Sequence, residues 1–442
     1  MVGAARSRTR SRPPSRPLSP PQELVPTTAT RPRRFAALRD AHSRPYLFSA
    51  GLSMMADNIE HVITYWVLWR MFHSPALVGF EVISHWLPFL LLSVWFGSLA
   101  ERFDCRRIIQ IAQILFAFVS LAWGVLFLTD SLEMWMACVL LILHGCAGAL
   151  WGPAEQLLLH DFVETEDLPG AVRMNATFKS LGVLAGPVIG SGLMLALGAT
   201  GGIFANVLFY LPMTLLMLRT PFTGHTRSGI VRRERLGLRD TFSVLRTVSG
   251  DKVLVAMIVL AGLVAVCVGA SLQVSMPSIA DGLGADSGGI GYGVLLFAGG
   301  AGGVLGGFLL EATGVIRPDT RAAVIATLLF GLTTVLLTLT SHYWIAVIAL
   351  VIGGIANMAA TSIGQAVVQL RAPAHQRERV VGVYSMIGSG MRTGNGLTLA
   401  LLGSVVGVTG AVTVGGAALA AGSLLVAALV AVGMSRARLR RS

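Results

Sequence analysis

The chain has 442 residues, 54% of them hydrophobic and only 13% charged, with a mean hydropathy of +0.71. So few polar groups exclude a water-soluble globule of this size and place the chain in a bilayer. A formal net charge of +12 would point to nucleic acid in a soluble protein. Here about 31 of the Lys and Arg fall in segments that alternating topology puts on one side, so the expected partner is lipid and not nucleic acid.

Residues 1–46 are rich in Arg, Pro and Ser and include Arg6, Arg33 and Arg34. They form no apolar core and are expected to be a disordered cytosolic tail, retained because no h-region precedes the first long apolar segment. A span needs roughly 20 apolar residues. Segments that qualify are 47–70, 76–100, 107–129, 132–159, 169–197 and 200–219, then 252–280, 288–313, 320–340, 343–370, 379–406 and 409–434. The runs are continuous rather than alternating, so they read as helices, not barrel strands.

The reading is an all-α membrane protein of twelve transmembrane helices, with an N-terminal six-helix bundle over 47–219 and a C-terminal one over 252–434. Between them lies an Arg-rich linker over 220–251, where Leu238, Phe242 and Leu245 stand at i, i+4 and i+7. That spacing predicts a short amphipathic helix on the membrane surface. A basic tail over 435–442 follows, and an even number of spans puts both termini in the cytosol. Cys105, Cys138, Cys146 and Cys267 show no metal-ligand spacing and read as small buried thiols.

Charges at bilayer depth are costly, so each is a functional candidate. The first helix has the densest polar stripe, with Ser53, Asp57, Glu60, His61 and Thr64 spaced by three and four. Glu81 and His85 on the second helix reach a similar depth and could join Glu60 and His61 in one cluster. Two His and two carboxylates are a possible ligand set for a metal, but nothing fixes a tetrahedral spacing and none is expected. The fourth helix aligns His144, Gly148, Trp151 and Glu155 on one face. Offset by about 210 residues, Glu155 corresponds to Gln365, within the stripe Asn357, Thr361, Gln365 and Gln369, as if both lined a central cavity. Lys179 on the fifth helix and Arg392 on the eleventh, with Asn395 one turn on, are mid-membrane cations. They need an acid, drawn from Asp57, Glu60, Glu81 and Glu155, or an anionic group on a ligand.

A charged hairpin recurs in both halves. Gly97-Ser98-Leu99-Ala100-Glu101-Arg102 leads to Asp104, Arg106 and Arg107, and Gly307 to Glu311 and Arg317 repeat the steps of four and ten. Such an internal repeat in a membrane chain is the plan of many transporters. The segment from Gly97 to Arg107 resembles the loop signature G-x-L-a-D-r-x-G-r-R of the major facilitator superfamily, with Glu101 for the usual Asp and Asp104 for the second Gly. Gly152-Pro153-Ala154, Asp167-Leu168-Pro169, Asn175, Gly186 to Gly190 and Ser84 to Pro88 resemble the branch of bacterial enterobactin exporters and macrolide or multidrug efflux proteins. Gln369 through Arg377-Glu378-Arg379 to Gly382 adds to that likeness. Gly182, Gly186, Pro187 and Gly190 resemble the antiporter motif G-x-x-x-G-P-x-x-G-G, with Ser191 in last place, and imply close helix packing and a Pro bend.

The resemblance implies a secondary transporter of the plasma membrane that exports a small drug-like or siderophore-like amphiphile by proton antiport, as a monomer. It also implies a conformational latch built from Glu101, Arg102, Arg106 and Arg107, mirrored by Glu311 and Arg317. A proton-coupled importer on the same fold, or a receptor or scaffold that no longer transports, are the competing readings. No Walker A pattern occurs, so direct ATP drive is not supported. No cofactor is expected, and no catalytic set marks an enzyme.

Overall fold

The computed structural model describes residues 36–163, 167–226, 246, 248–285, 290–313, 319–373 and 377–439. The first half comprises a short α1 (Ala36–Arg39), then α2 (Ser43–Phe72), α3 (Pro75–Arg102), α4 (Cys105–Leu128), α5 (Met134–Phe162) and α6 (Leu168–Arg219). The second comprises α7 (Lys252–Cys267), α8 (Ser271–Val274), α9 (Met276–Gly282), α10 (Ile290–Thr313), α11 (Thr320–Leu339), α12 (Tyr343–Arg371), α13 (Arg377–Gly390) and α14 (Arg392–Leu439).

Among the described residues nine helices are long and apolar enough to cross a membrane. Two of these hold a pair of spans each: α6 turns back at Gly198 (φ 69°) and α14 at Gly407 (φ 77°). Both φ values lie in the left-handed region that glycine adopts without strain. The twelfth span is α2, 30 residues long, whose hydropathy is lowered by Asp57, Asn58, Glu60 and His61. The result is twelve spanning helices in two six-helix halves.

Local chemistry sets the helix starts. Ser74 accepts from Leu77 N (3.3 Å) ahead of Pro75, and Asp251 accepts from Val253 N (2.8 Å). The first long helix begins at Ser43, inside the expected tail, because Asp40 accepts from the amides of Ser43 (2.7 Å) and His42 (2.9 Å). Tyr46 and Leu47 are fully buried there. The amphipathic stripe Leu238, Phe242 and Leu245 lies outside the described residues.

The expected seventh span, 252–280, is broken into α7, α8 and α9. Val268 to Ala270 leave the helix, with Gly269 at φ 35°. The break is held by Asn395, which accepts from Ser271 N (2.8 Å) and donates to Val266 O (2.9 Å). A lesser interruption at Met391 divides α13 from α14.

In the first half α2 runs along α6. A methyl at Gly182 would sit 2.3 Å from Gly51 O, and one at Gly186 2.4 Å from Asn58 Cβ, so only glycine permits this approach. In the second, α10 runs along α12 through the Gly299 to Gly307 run.

The halves meet on the face distal to the chain termini. Trp66 stacks on Tyr292 (5.4 Å), Arg70 pairs with Asp281 (3.6 Å), and one apolar cluster runs from Ile59 and Trp66 to Met276 and Leu295. On the termini face the described ion pairs, Arg106 with Asp104 and Arg371 with Asp251, stay within their own halves.

Candidate functional site

The polar stripe of α2 faces α4 and α5. Asp57 and Glu60 lie three residues apart, on one face of the helix, and both reach His144 of α5. His144 Nδ1 is 2.8 Å from Glu60 Oε1, and His144 Nε2 is 2.8 Å from Asp57 Oδ1. Ser120 Oγ of α4 donates to Glu60 Oε2, and Asn206 of α6 donates to Ser120 Oγ (3.3 Å). Four helices therefore converge on one carboxylate, and Glu60 is 2% exposed. Phe116 meets the His144 ring edge-on at 4.9 Å and closes one side.

His61 and His85 gather beside this bridge. Their ring centroids lie 4.8 Å and 5.9 Å from that of His144, and a nitrogen of each imidazole lies within 4.8 Å of the other two. These three are the described residues best placed to hold a metal. Both nitrogens of His144 are engaged by carboxylates, however, so the group is first a hydrogen-bonded cluster.

A second cluster lies further along α5. Lys179 Nζ of α6 is 2.7 Å from Glu155 Oε2, Asn175 Nδ2 donates to Glu155 Oε1 (2.9 Å), and Lys179 sits over the Trp151 ring at 4.5 Å. The fourth-helix stripe thus divides: His144 belongs with α2, whereas Trp151 and Glu155 belong with Lys179. That cation has its acid. Among the described residues Arg392 has none, and it stacks on Trp86 at 4.6 Å instead. Gln365 shares a cavity of about 220 Å³ with Asn357, Thr361, Tyr384 and Arg392, while Asn395 holds the helix break.

The loop after α3 is held by Asp104 rather than by Glu101. Glu101 makes no ion pair with Arg102, Arg106 or Arg107. Arg106 instead forks onto Asp104 (Nη2 to Oδ2, 2.6 Å) and donates to Thr220 O (2.8 Å), and Arg107 donates to Gln110 (3.0 Å). Asp104 also caps α4 by accepting from Arg106 N (2.9 Å). Its φ of −61° is open to any residue, so the family's second glycine is not needed here. Burial raises the Asp104 pKa, but the hydrogen bonds and charge of Arg106 outweigh it and hold the carboxyl below its ordinary value. The side chain of Glu311, and Arg317, lie outside the described residues.

Ser120 and Asn206 lie outside the residues that the sequence pattern marks, and Trp86 enters only within the Ser84 to Pro88 run. A signal existed for the first: Gln113 and Ser120 lie seven apart in an apolar helix, and Gln113 accepts from Ser53 (3.0 Å).

Residues 34–439 match the family described as transmembrane secretion effector, MFS_3. Among curated relatives, the staphyloferrin A transporter of Staphylococcus aureus is 22% identical over 179 residues, 40% of this chain and 45% of that protein. The uncharacterized MFS-type transporter YfiS of Bacillus subtilis is 25% identical over 177 residues, 38% of this chain and 41% of that protein. The chain thus matches less than half the length of either relative. Among solved structures, a bacterial homologue of the human lysosomal transporter Spinster, inward-facing and unoccupied, superposes with a TM-score of 0.65 at 16% identity, covering 87% of this chain and 95% of that one. The nucleoside transporter NupG gives 0.65 at 11% identity, over 87% and 98%. These two share the fold. With the family match spanning nearly all of the chain, the protein belongs to the transmembrane secretion effector family of major facilitator superfamily transporters.

Proposed function

We propose that the protein is a secondary active transporter that exports a small amphiphilic molecule across the plasma membrane in exchange for protons. The observation that carries this reading is the bridge from Asp57 through His144 to Glu60. Each 2.8 Å contact needs a hydrogen, and a neutral imidazole supplies only one. The three groups therefore hold one proton beyond a neutral ring and two carboxylates. Losing it would set a nitrogen lone pair against a carboxylate lone pair, so the link between α2 and α5 must open. Proton exchange is then tied to how the helices pack, which is what coupling requires.

Direction is supported by the family's description as a secretion effector. The concentration of Arg on the termini face supports that face as cytosolic. On that reading the structure is closed to the outside, and the loop residues Glu101, Arg102, Arg106 and Arg107 act as a latch when the cytosolic side shuts. Lys179 and Glu155 brace the first half during that movement.

The test is proteoliposome transport of a fluorescent amphiphilic dye with and without an imposed pH gradient. Wild type should move dye only when the gradient is present, and His144→Ala should fall to the liposome background. Gradient-dependent transport that survives in His144→Ala would remove the coupling role of the bridge.

A further inference from the structure

At the seam between the halves, next to His61, lies a cavity of about 80 Å³. Its walls come from α3 on one side and from the α7–α8 break and the start of α14 on the other. Irregular backbone at membrane depth is tolerated where it lines such a space, and broken helices commonly border ligand sites in transporters.

Among the described residues, three side chains lining this cavity carry buried polar atoms without partners: Glu81 Oε2, His85 Nδ1 and Arg392 Nε. Glu81 is only 2% exposed. An acid and a guanidinium bordering one small space would ordinarily pair, since each left alone carries an unpaid desolvation cost. Here they stay apart, Arg392 lying against Trp86. Gly269 and Gln273 of the cavity wall also line a second cavity of about 240 Å³, bordered by apolar Leu272, Met276, Leu296 and Phe330. The charged pocket thus shares its Gly269 and Gln273 wall with a larger, mostly apolar one.

We infer that the cargo is an amphiphile with an amino-acid-like head, its cationic nitrogen meeting Glu81 and its carboxylate meeting Arg392, while an apolar body occupies the larger cavity. The inference rests on the export reading and names its substrate class. A singly charged head would leave one of the two groups buried and unmatched, and a neutral head would leave both. The carboxylate suits Arg392 because a guanidinium presents a flat fork of donors.

The test uses the full chain in lipid nanodiscs and four probes sharing one chain length: 2-aminooctanoate, octanoate, octylamine and 1-octanol. Affinities are read by calorimetry without any gradient. Wild type should bind 2-aminooctanoate at least about tenfold more tightly than the other three, the scale of one charge-assisted hydrogen bond. Arg392→Gln should reduce 2-aminooctanoate to the level of octylamine, and Glu81→Gln to the level of octanoate. Should Arg392→Gln not fold, Arg392→Lys keeps the cation without the fork and should lose part of the preference. Wild-type affinities that follow apolarity alone, or a preference that survives in both variants, would overturn the inference. Gradient-driven dye export without head-group preference would refute this inference and leave the export reading standing. Head-group preference without any export would refute the export reading.

Discussion

The contact between Gly79 of α3 and Gly396 of α14 is part of what holds the distal face shut. A methyl at Gly79 would stand 2.5 Å from both Gly396 O and Ala400 Cβ, where ordinary contact begins at 3.4 Å. Gly79→Ala therefore needs the two helices to part by about 0.9 Å, the difference of those distances. The methyl would meet backbone atoms and an alanine Cβ, none of which a rotamer change can move. Overpacking of this kind costs about 1–3 kcal/mol, which would shift the balance between distally closed and distally open forms by a factor of about 5 to 150. The assay is electron–electron distance spectroscopy between labels at Asp130 and Ser341, both exposed on distal loops of opposite halves, with the four native cysteines changed to Ser. The variant should gain a longer-distance population that wild type lacks. A folded variant with the wild-type distribution would mean that this approach does not hold the face closed.

Further outcomes follow from the described contacts. Lys179→Met alone leaves Glu155 unpaired and should lower stability by about 3 kcal/mol, while Lys179→Met combined with Glu155→Met should recover most of it; thermal unfolding in detergent reads both. Asn395→Ala removes both bonds at the helix break and should cost about 1–3 kcal/mol, with faster amide exchange at Ser271 than in wild type. Asp104→Asn keeps a capping oxygen but loses the negative charge that faces Arg106, so it should unfold at a lower temperature than wild type at neutral pH. Because the folded Asp104 carboxyl titrates below its unfolded value, that gap should be full above about pH 4 and shrink as pH falls through the folded value. Asp104→Ala should lose a further ~1 kcal/mol with the cap.

The twelve spans were legible because hydrophobic runs of the right length need no tertiary information, and the turns at Gly198 and Gly407 fall in the gaps left between 197 and 200 and between 406 and 409. The break after Cys267 was not. Its own residues, Val268-Gly269-Ala270, read as apolar helix, and the side chain that holds them open is Asn395, far along the chain. The site was legible in part. Periodicity puts Asp57 and Glu60 on one face of α2, yet it does not name the helix that face meets, and the spacing along α5 groups His144 with Trp151 and Glu155. The loop shows the same limit: Glu101 stands where the family has its acid, but the nearer Asp104, two residues from Arg106, takes the guanidinium because the N-cap position aims its carboxylate there.

The two halves differ in how they resist bending. Among the described residues the buried bridge Asp57–His144–Glu60 and the pair Lys179–Glu155 both lie in the first half, tying α2 to α5 and α5 to α6. The second half has no such cross-bracing in its described interior, and two of its long helices are interrupted, after Cys267 and at Met391. A bundle stapled by charge acts as a strut, whereas interrupted helices give a lever that can flex locally. Substitutions at the interruptions should then change how fast the transporter turns over, and substitutions at the staples how much driving force it needs.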